Sequence, residues 1–167
     1  VRPVPTFGHK GIVDLRQQAD QVLDPDTGDM AVNSPPLVAG DTIVVGAAHA
    51  NGMVPKSRAN AKGYIRGYDA RTGKRLWIFH TIPHPGEFGH DTWGQDSWKK
   101  VGSANVWSGF TLDAARGIVY MGTGSPANDK WGGNRPGAGW FGNCTLALDA
   151  ATGRRLWHFQ AVHHDLW

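Results

Sequence analysis

Short apolar stretches separated by turn residues run along much of the chain. In YIRGYDARTGKRLWIF, residues 64–79, a run rich in β-forming residues precedes Asp69 and a second such run follows Gly73. The residues between them are turn formers, and a glycine at the end of a turn readily adopts the positive φ that a tight connection needs. The pattern predicts a β-hairpin with a loop of about four residues.

A second copy of this hairpin lies 80 residues further along the chain, in LALDAATGRRLWHF. Four residues align with identical residues of that copy without a gap: Asp69 with Asp149, Thr72 with Thr152, Gly73 with Gly153, and Trp77 with Trp157. The aspartate and threonine side chains are expected to hydrogen-bond the amides of their own turn. The two tryptophans are expected to bury large areas and so to have structural roles.

Two further β-rich runs precede each hairpin. They are residues 35–38 and 42–46 before the first copy, and residues 106–112 and 118–123 before the second. Each repeat therefore predicts four strands. Four-stranded units that recur along a chain are typical of the blades of a β-propeller.

The composition indicates the same fold class. The 167 residues include 23 Gly, 10 Pro and 8 Trp, which suits many short strands joined by tight turns. Helical periodicity is scarce, and residues 15–22 alone could make a short helix. We therefore expect an all-β protein.

Charge, cysteine content and hydropathy exclude several function classes. The formal charge of +3 comes from scattered residues without a basic stripe, so we expect no nucleic-acid partner. Cys144 is the single cysteine, which excludes an internal disulfide and a cysteine-built metal site. No apolar run approaches the roughly 20 residues of a membrane helix, so any membrane anchor is expected outside this segment. The chain opens without Met and reads as the interior of a longer protein.

The repeated string Asp-x-x-Thr-Gly-x-x-x-Trp resembles the tryptophan-docking motif of quinoprotein propellers that bind pyrroloquinoline quinone (PQQ). Three longer strings resemble the PQQ-dependent sugar and alcohol dehydrogenases, and most closely the quinoprotein glucose dehydrogenase group: PHPGEFGHDTWGQDSWKKVGSANVWS, SPANDKWGGNRPG and HFQAVHHDLW. Propellers that bind no quinone share the docking motif, so the three strings carry the resemblance. It implies an eight-bladed propeller, of which this chain contains about two blades.

The resemblance also divides the chain. It implies a blade remnant over 1–33, a blade over 34–82, a long loop over 83–104, a second blade over 105–162 and the start of the next segment over 163–167. The remnant is inferred because RPVPTFGHKGIVDL is similar to the stretch that comes after a Thr-Gly turn in that family.

Trp107 and Asn105 are the candidate cofactor-binding residues. In the family, the tryptophan at the position of Trp107 lies flat under the PQQ ring, and a tricyclic quinone needs a broad apolar face on which to stack. We expect both residues at the start of the innermost strand of the second blade. By the two-residue period of a strand they would share one face, so that Asn105 could hydrogen-bond the edge of the cofactor. The alternatives are a plain core role for Trp107 and no cofactor contact for Asn105.

The resemblance implies a Ca²⁺ or Mg²⁺ ion against the quinone, where it acts as a Lewis acid held by oxygen ligands. In the alcohol dehydrogenases an Asn ligand follows the stacking Trp by eighteen residues, and here that position is Ser125. In the glucose dehydrogenase group a loop residue before the docking hairpin is implicated instead, which makes Asn51 a second candidate. Asn128 and Asp129 are further candidates, and all three loop residues could equally be ordinary turn formers.

The C-terminal string HHDLW leads into the active site in the family. The general base there is the Asp immediately after the Trp, one position beyond Trp167, so no catalytic residue is assigned within this chain. His164 and Asp165 are expected to line the pocket. Adjacent histidines on a strand point to opposite faces, so His163 and His164 are not expected to hold one ion. Four polar residues of the long loop are expected to shape it rather than to react: His84, Glu87, His90 and Asp91.

These observations predict part of a PQQ-dependent dehydrogenase that oxidises a glucose-like sugar or an alcohol by hydride transfer to the quinone. The resemblance implies a periplasmic enzyme with a quinone or cytochrome as electron acceptor. Alcohol is the less favoured substrate, because Ser125 departs from the alcohol dehydrogenase pattern and many of those relatives stack the quinone on a disulfide of adjacent cysteines. The alternative is a non-catalytic propeller that serves as a periplasmic assembly scaffold.

Overall fold

A computed structural model describes residues 2–23, 31–47 and 61–166 of the chain. Within them the protein forms two four-stranded antiparallel sheets, which confirms the all-β prediction. Blade 1 consists of β1 (Leu37–Ala39), β2 (Thr42–Val45), β3 (Ile65–Asp69) and β4 (Arg75–Phe79). Blade 2 consists of β5 (Phe110–Asp113), β6 (Ile118–Gly122), β7 (Cys144–Asp149) and β8 (Arg155–Gln160). The part of the chain that the structure describes has no helix of sufficient length and apolarity to cross a membrane.

The two predicted hairpins close in the same way. In the β3–β4 turn, the Asp69 carboxylate accepts hydrogen bonds from the Thr72 amide at 2.7 Å and from the Thr72 hydroxyl at 2.8 Å. Gly73 follows with a φ of 72°, which only glycine adopts without strain. The β7–β8 turn repeats these bonds with Asp149 and Thr152, at 2.9 and 2.8 Å. The repeated Asp, Thr and Gly therefore form the same hydrogen-bonded turn in both hairpins.

Thr72→Val tests how much of this turn depends on the threonine hydroxyl. Hydrogen bonds from Thr72 lower the pKa of the Asp69 carboxyl below its ordinary value of 3.8. A lowered folded-state pKa stabilises the turn above that ordinary value, and this contribution is lost as pH falls through the lowered pKa. In Thr72→Val we expect the pKa of Asp69 to rise toward 3.8, measured by NMR titration of its carboxyl carbon. Asp113, which pairs with Arg116 in another turn, is the internal control; an unmoved Asp69 would contradict the prediction.

The two motif tryptophans stand at equivalent positions. Trp77 pairs with Gly67 and Trp157 with Ala147, each immediately before the same register shift between the paired strands. The predicted equivalence is confirmed, yet the burial of the two side chains differs. Trp77 is only 8% exposed, because it packs on the β7–β8 turn, whereas Trp157 is 44% exposed. A hairpin that could cover Trp157 in the same way is not among the described residues.

Trp77 connects the two blades. Its indole nitrogen donates to the carbonyl of Ala150 at 3.2 Å. The ring lies so close to Gly153 that a Cβ at that glycine would come within 2.5 Å of it. Around this contact a shared core of buried apolar residues joins both sheets, among them Val44, Ile65, Val119, Leu146 and Leu148.

The long loop between the blades has a core of its own. Trp93 and Val101 pack with Tyr64, which precedes β3, and with Ile82, which follows β4. Two short 3₁₀ helices, His90–Thr92 and Ser97–Lys99, lie in this loop, and the sequence pattern did not predict them. The loop is therefore well packed, and it connects β4 to the segment that leads into blade 2.

The predicted helix over residues 15–22 is wrong. This segment forms turns, with positive φ at Gln18 and Asp20, which breaks any helical path. Its main-chain carbonyls are bound by arginines of blade 1 in place of a helical ladder. Arg66 donates to the Leu15 carbonyl and Arg75 to the Gln18 carbonyl.

Candidate functional site

Residues 105–109 form an irregular segment that leads into β5. The prediction that the strand begins at residue 106 is wrong, because the strand starts at Phe110, after Gly109 with a φ of 122°. The carbonyl of Val106 lies only 2.3 Å from the place where a Cβ on Gly46 would be, so blade 1 holds this backbone at very close range. Residues 105–109 therefore pack against blade 1 and are not hydrogen-bonded into the sheet of blade 2.

The predicted shared strand face of Asn105 and Trp107 does not form, because neither residue lies in a strand. Asn105 is buried and its amide nitrogen donates to the carbonyl of Ala47 at 2.7 Å, which anchors the segment to blade 1. Trp107 is 57% exposed. The irregular backbone places these side chains in different environments despite their spacing of two. Within the described residues, Trp107 is thus not a core tryptophan.

Ser125 follows Gly124, the residue against which the Trp107 ring lies; we call this ring the Trp107 platform. The indole nitrogen of Trp107 would be 3.2 Å from a Cβ on Gly124, so the ring lies close against this glycine. The Gly124 amide donates to the Asn105 carbonyl at 2.9 Å, and the Ala104 amide donates to the Ser125 carbonyl at 3.3 Å. These main-chain bonds bring together residues separated by about twenty positions in sequence.

Asp165 enters the same site from beyond blade 2. The Ser125 hydroxyl donates a hydrogen bond to the Asp165 carboxylate. His164 lies in a turn with a φ of 50°, so the expectation that His163 and His164 alternate on a strand is wrong. The predicted pocket residues His164 and Asp165 therefore follow a bent path held against residues 125–138.

Arg135 is the residue at this site that the sequence reasoning missed. It is only 2% exposed, and its guanidinium donates to the main-chain carbonyls of Asp165 and, at 3.4 Å, of Asn128. Burial lowers the pKa of Arg135 from its ordinary value, while the carboxylates of Asp165 and Asp129 act in the opposite direction. An arginine within the Gly- and Pro-rich string WGGNRPG was the available signal, because such a loop offers many carbonyls and few side chains.

The donor chemistry at the site suits a hard cation. Ser125 and Asp165 supply a hydroxyl and a carboxylate, and the buried side-chain oxygen of Asn128 has no hydrogen-bond partner among the described residues. Oxygen atoms of these kinds are the ligands that Ca²⁺ and Mg²⁺ prefer. Residues 2–23, 31–47 and 61–166 contain no cluster of three or more His, Cys, Asp or Glu that could hold a metal. Candidate Asn51 lies outside the described residues.

The polar residues of the long loop bind one another and blade 1. Glu87 accepts a hydrogen bond from the His84 amide at 2.7 Å and pairs with the Nδ1 of His80 at 2.8 Å. The Tyr64 hydroxyl lies 2.8 Å from Nε2 of His84. Burial and the nearby His80 lower the pKa of His84. This placement agrees with a role in shaping the loop, while Asp91 is exposed at the surface.

Cys144 is buried at the start of β7. Burial raises the pKa of its thiol to about 11, so it is protonated at neutral pH. A protonated, enclosed thiol is a poor nucleophile and a poor metal ligand. Cys144 is thus part of the packing between the sheets.

Comparison with known proteins gives consistent similarities. Residues 2–167 match the family described as PQQ: glucose/ethanol/alcohol dehydrogenase, beta-propeller domain. The chain is 37% identical to quinoprotein glucose dehydrogenase A of Acinetobacter calcoaceticus, over 96% of this chain and 19% of that protein. It is 35% identical to quinoprotein glucose dehydrogenase of Escherichia coli K12, over 97% and 19%.

Solved structures show the same similarity in three dimensions. Quinohemoprotein alcohol dehydrogenase from Comamonas testosteroni superposes with a TM-score of 0.69 and 27% identity, over 84% of this chain and 22% of that one. The chain thus spans about a fifth of the length of the relatives and structures it matches.

Proposed function

The chain belongs to the PQQ-dependent glucose/ethanol/alcohol dehydrogenase family, and on that premise we propose that the complete protein is a quinoprotein dehydrogenase that oxidises a glucose-like sugar at the site around Trp107. An alcohol is the second substrate class. We propose a quinone or a cytochrome as the electron acceptor and the periplasm as the location, both from the family resemblance.

The exposed indole of Trp107 is the observation that carries the proposal. Large apolar side chains normally lie inside a protein, yet Trp107 is exposed on a segment whose backbone is held by Asn105 and by its close approach to Gly46. A flat, exposed indole whose edge lies against Gly124 offers the stacking surface that a tricyclic ligand needs. A purely structural assembly scaffold requires docking tryptophans such as Trp77, but it gives no reason for an exposed indole beside Gly124, whose neighbour Ser125 binds the Asp165 carboxylate.

The residues at the site divide the work of binding. Trp107 would support the ring of PQQ, and Asn105 would keep the platform rigid through its bond to blade 1. Ser125 and Asp165 would hold a Ca²⁺ or Mg²⁺ ion through oxygen atoms. When bound, PQQ supplies a carbon that accepts hydride from the substrate. The substrate proton goes to a general base, which the family resemblance places immediately after Trp167.

Trp107→Ala in the complete protein tests this assignment. An aromatic platform contributes roughly 1 to 3 kcal/mol per stacked ring by analogy with base stacking, so we expect PQQ affinity to fall about 5- to 150-fold. Equilibrium titration of PQQ into the apoprotein measures the loss.

Trp131→Ala is the matched control, because Trp131 is 62% exposed and its ring lies against Gly133. We expect its PQQ affinity to stay near that of the unmodified protein. Equal losses in the two variants would remove Trp107 from the cofactor site.

A further inference from the structure

Two stretches of chain are joined at the candidate site. We call residues 125–138 the WGGNR loop and residues 164–166 the exit segment. The His164 amide donates to the carbonyl of Ala138 at 3.2 Å, and Nδ1 of His164 lies 2.9 Å from the carbonyl of Gly137. The loop therefore binds the start of the exit segment through its own main chain.

Asp165, the next residue, is held from two further directions. Its carboxylate accepts the hydroxyl of Ser125, at the first position of the WGGNR loop. Its main-chain carbonyl accepts the guanidinium of Arg135, near the other end of that loop. Both the side chain and the backbone of Asp165 are therefore fixed by one loop.

Arg135 is the centre of this arrangement. It is buried, and the same terminal nitrogen also donates to the carbonyl of Asn128 at 3.4 Å. Burying a guanidinium is unfavourable unless its hydrogen bonds are used, and Nε of Arg135 has no partner among the described residues. The hydrogen bonds that Arg135 does donate go to main-chain carbonyls of both stretches, and none goes to a carboxylate among the described residues.

The joined stretches lie beside the exposed tryptophan. Ser125 follows Gly124, against which the indole of Trp107 lies. A shift of the exit segment would therefore move the Asp165 carboxylate relative to the Trp107 ring. Reactions in enzyme sites are sensitive to such shifts, since a displacement of about 1 Å costs about 10²-fold in rate.

We propose that Arg135 is a positioning residue: by binding the carbonyls of Asn128 and Asp165, it fixes the exit segment against the WGGNR loop and sets where Asp165 stands at the Trp107 platform. The effect on catalysis rests on the function proposed above, whereas the effect on the exit segment does not. Lysine is a poor substitute, because an ammonium cannot reproduce the fork of the guanidinium.

The test uses the complete protein with Arg135→Met, Arg135→Lys and the control Arg154→Met, which alters an exposed arginine in the β7–β8 turn. Hydrogen exchange of peptides covering residues 163–166 reports on the exit segment. In Arg135→Met we expect exchange there to rise about 10-fold or more, as for loss of a hydrogen bond from a charged donor, with unchanged exchange in β6 and β7. Arg135→Lys should lie between the two, and Arg154→Met should match the unmodified protein.

Steady-state kinetics separate positioning from general stability. We expect kcat of Arg135→Met to fall about 10²-fold with little change in KM, because substrate still binds while the site is misaligned. Exchange that rises throughout the protein, or a kcat that stays unchanged while residues 163–166 open, would overturn the proposal.

Two further outcomes are also decisive. If Arg135→Met does not fold, Arg135→Lys carries the test: exchange in the same peptide should rise above that of the unmodified protein, and unchanged exchange there overturns the proposal. If the unmodified protein shows no PQQ-dependent turnover, the proposed function fails, and the exchange data decide alone whether Arg135 fixes the exit segment.

Discussion

The isolated 167-residue chain, supplied with PQQ and Ca²⁺ or Mg²⁺, is expected to show no oxidation of glucose or of short alcohols. Ligand sites of this kind bury most of the surface of their ligand. This chain spans about a fifth of the length of its relatives, so we expect it to supply only part of such a site. The expected general base follows Trp167, and loss of a positioned base alone slows such reactions by about 10²- to 10⁴-fold.

Dye-coupled oxidation measures this directly, with the purified chain beside the complete protein at equal concentrations of PQQ and metal. The complete protein is the positive control, and a mixture without PQQ is the blank. PQQ-dependent turnover by the short chain would show that the site needs no further blades and that the base has been placed wrongly.

The second large effect concerns stability and compares the two equivalent tryptophans in the isolated chain. Trp77→Ala removes a buried indole from the contact between the blades and should cost about 3 to 5 kcal/mol in the free energy of unfolding. Trp157→Ala removes a side chain at the same strand position that is half exposed, so we expect a cost of about 1 kcal/mol.

Urea unfolding followed by far-UV circular dichroism gives both values, and the unmodified chain provides the reference. The comparison controls for strand propensity, because both substitutions fall at the same point before a register shift. Equal losses would mean that docking on the next hairpin adds nothing to the stability of a blade.

Much of the fold could be predicted from the sequence, because its turns are stabilised by hydrogen bonds between residues close together in the chain. Asp69, Thr72 and Gly73 make a turn whose hydrogen bonds lie within a few residues, so the string predicts its own conformation. The repeat then indicates that the second hairpin is built in the same way. The sequence wrongly predicts a helix over residues 15–22, because the carbonyls of this segment are bound by arginines some fifty residues away.

Only part of the candidate site could be predicted from the sequence. The family resemblance selected Trp107, Ser125 and Asp165. The structure pairs Ser125 with Asp165 and places the Trp107 ring beside Gly124, the residue before Ser125. The resemblance gave no indication that Asn105 turns inward, since that depends on contact with Ala47 in the other blade. Arg135 was missed for the same reason, because its partners are main-chain carbonyls distant in sequence.

The contact between Trp77 and Ala150 also gives the propeller a direction of growth. Blade 1 carries its docking tryptophan on its last strand, and the turn that receives it belongs to a hairpin that is synthesised later. During synthesis Trp77 therefore stays uncovered until Ala150, 73 residues later, has been made. In this chain Trp157 is 44% exposed, and the described residues contain no hairpin that covers it. Synthesis and docking thus proceed in the same sense, and the interval between successive tryptophans sets how long each new edge is open to wrong partners.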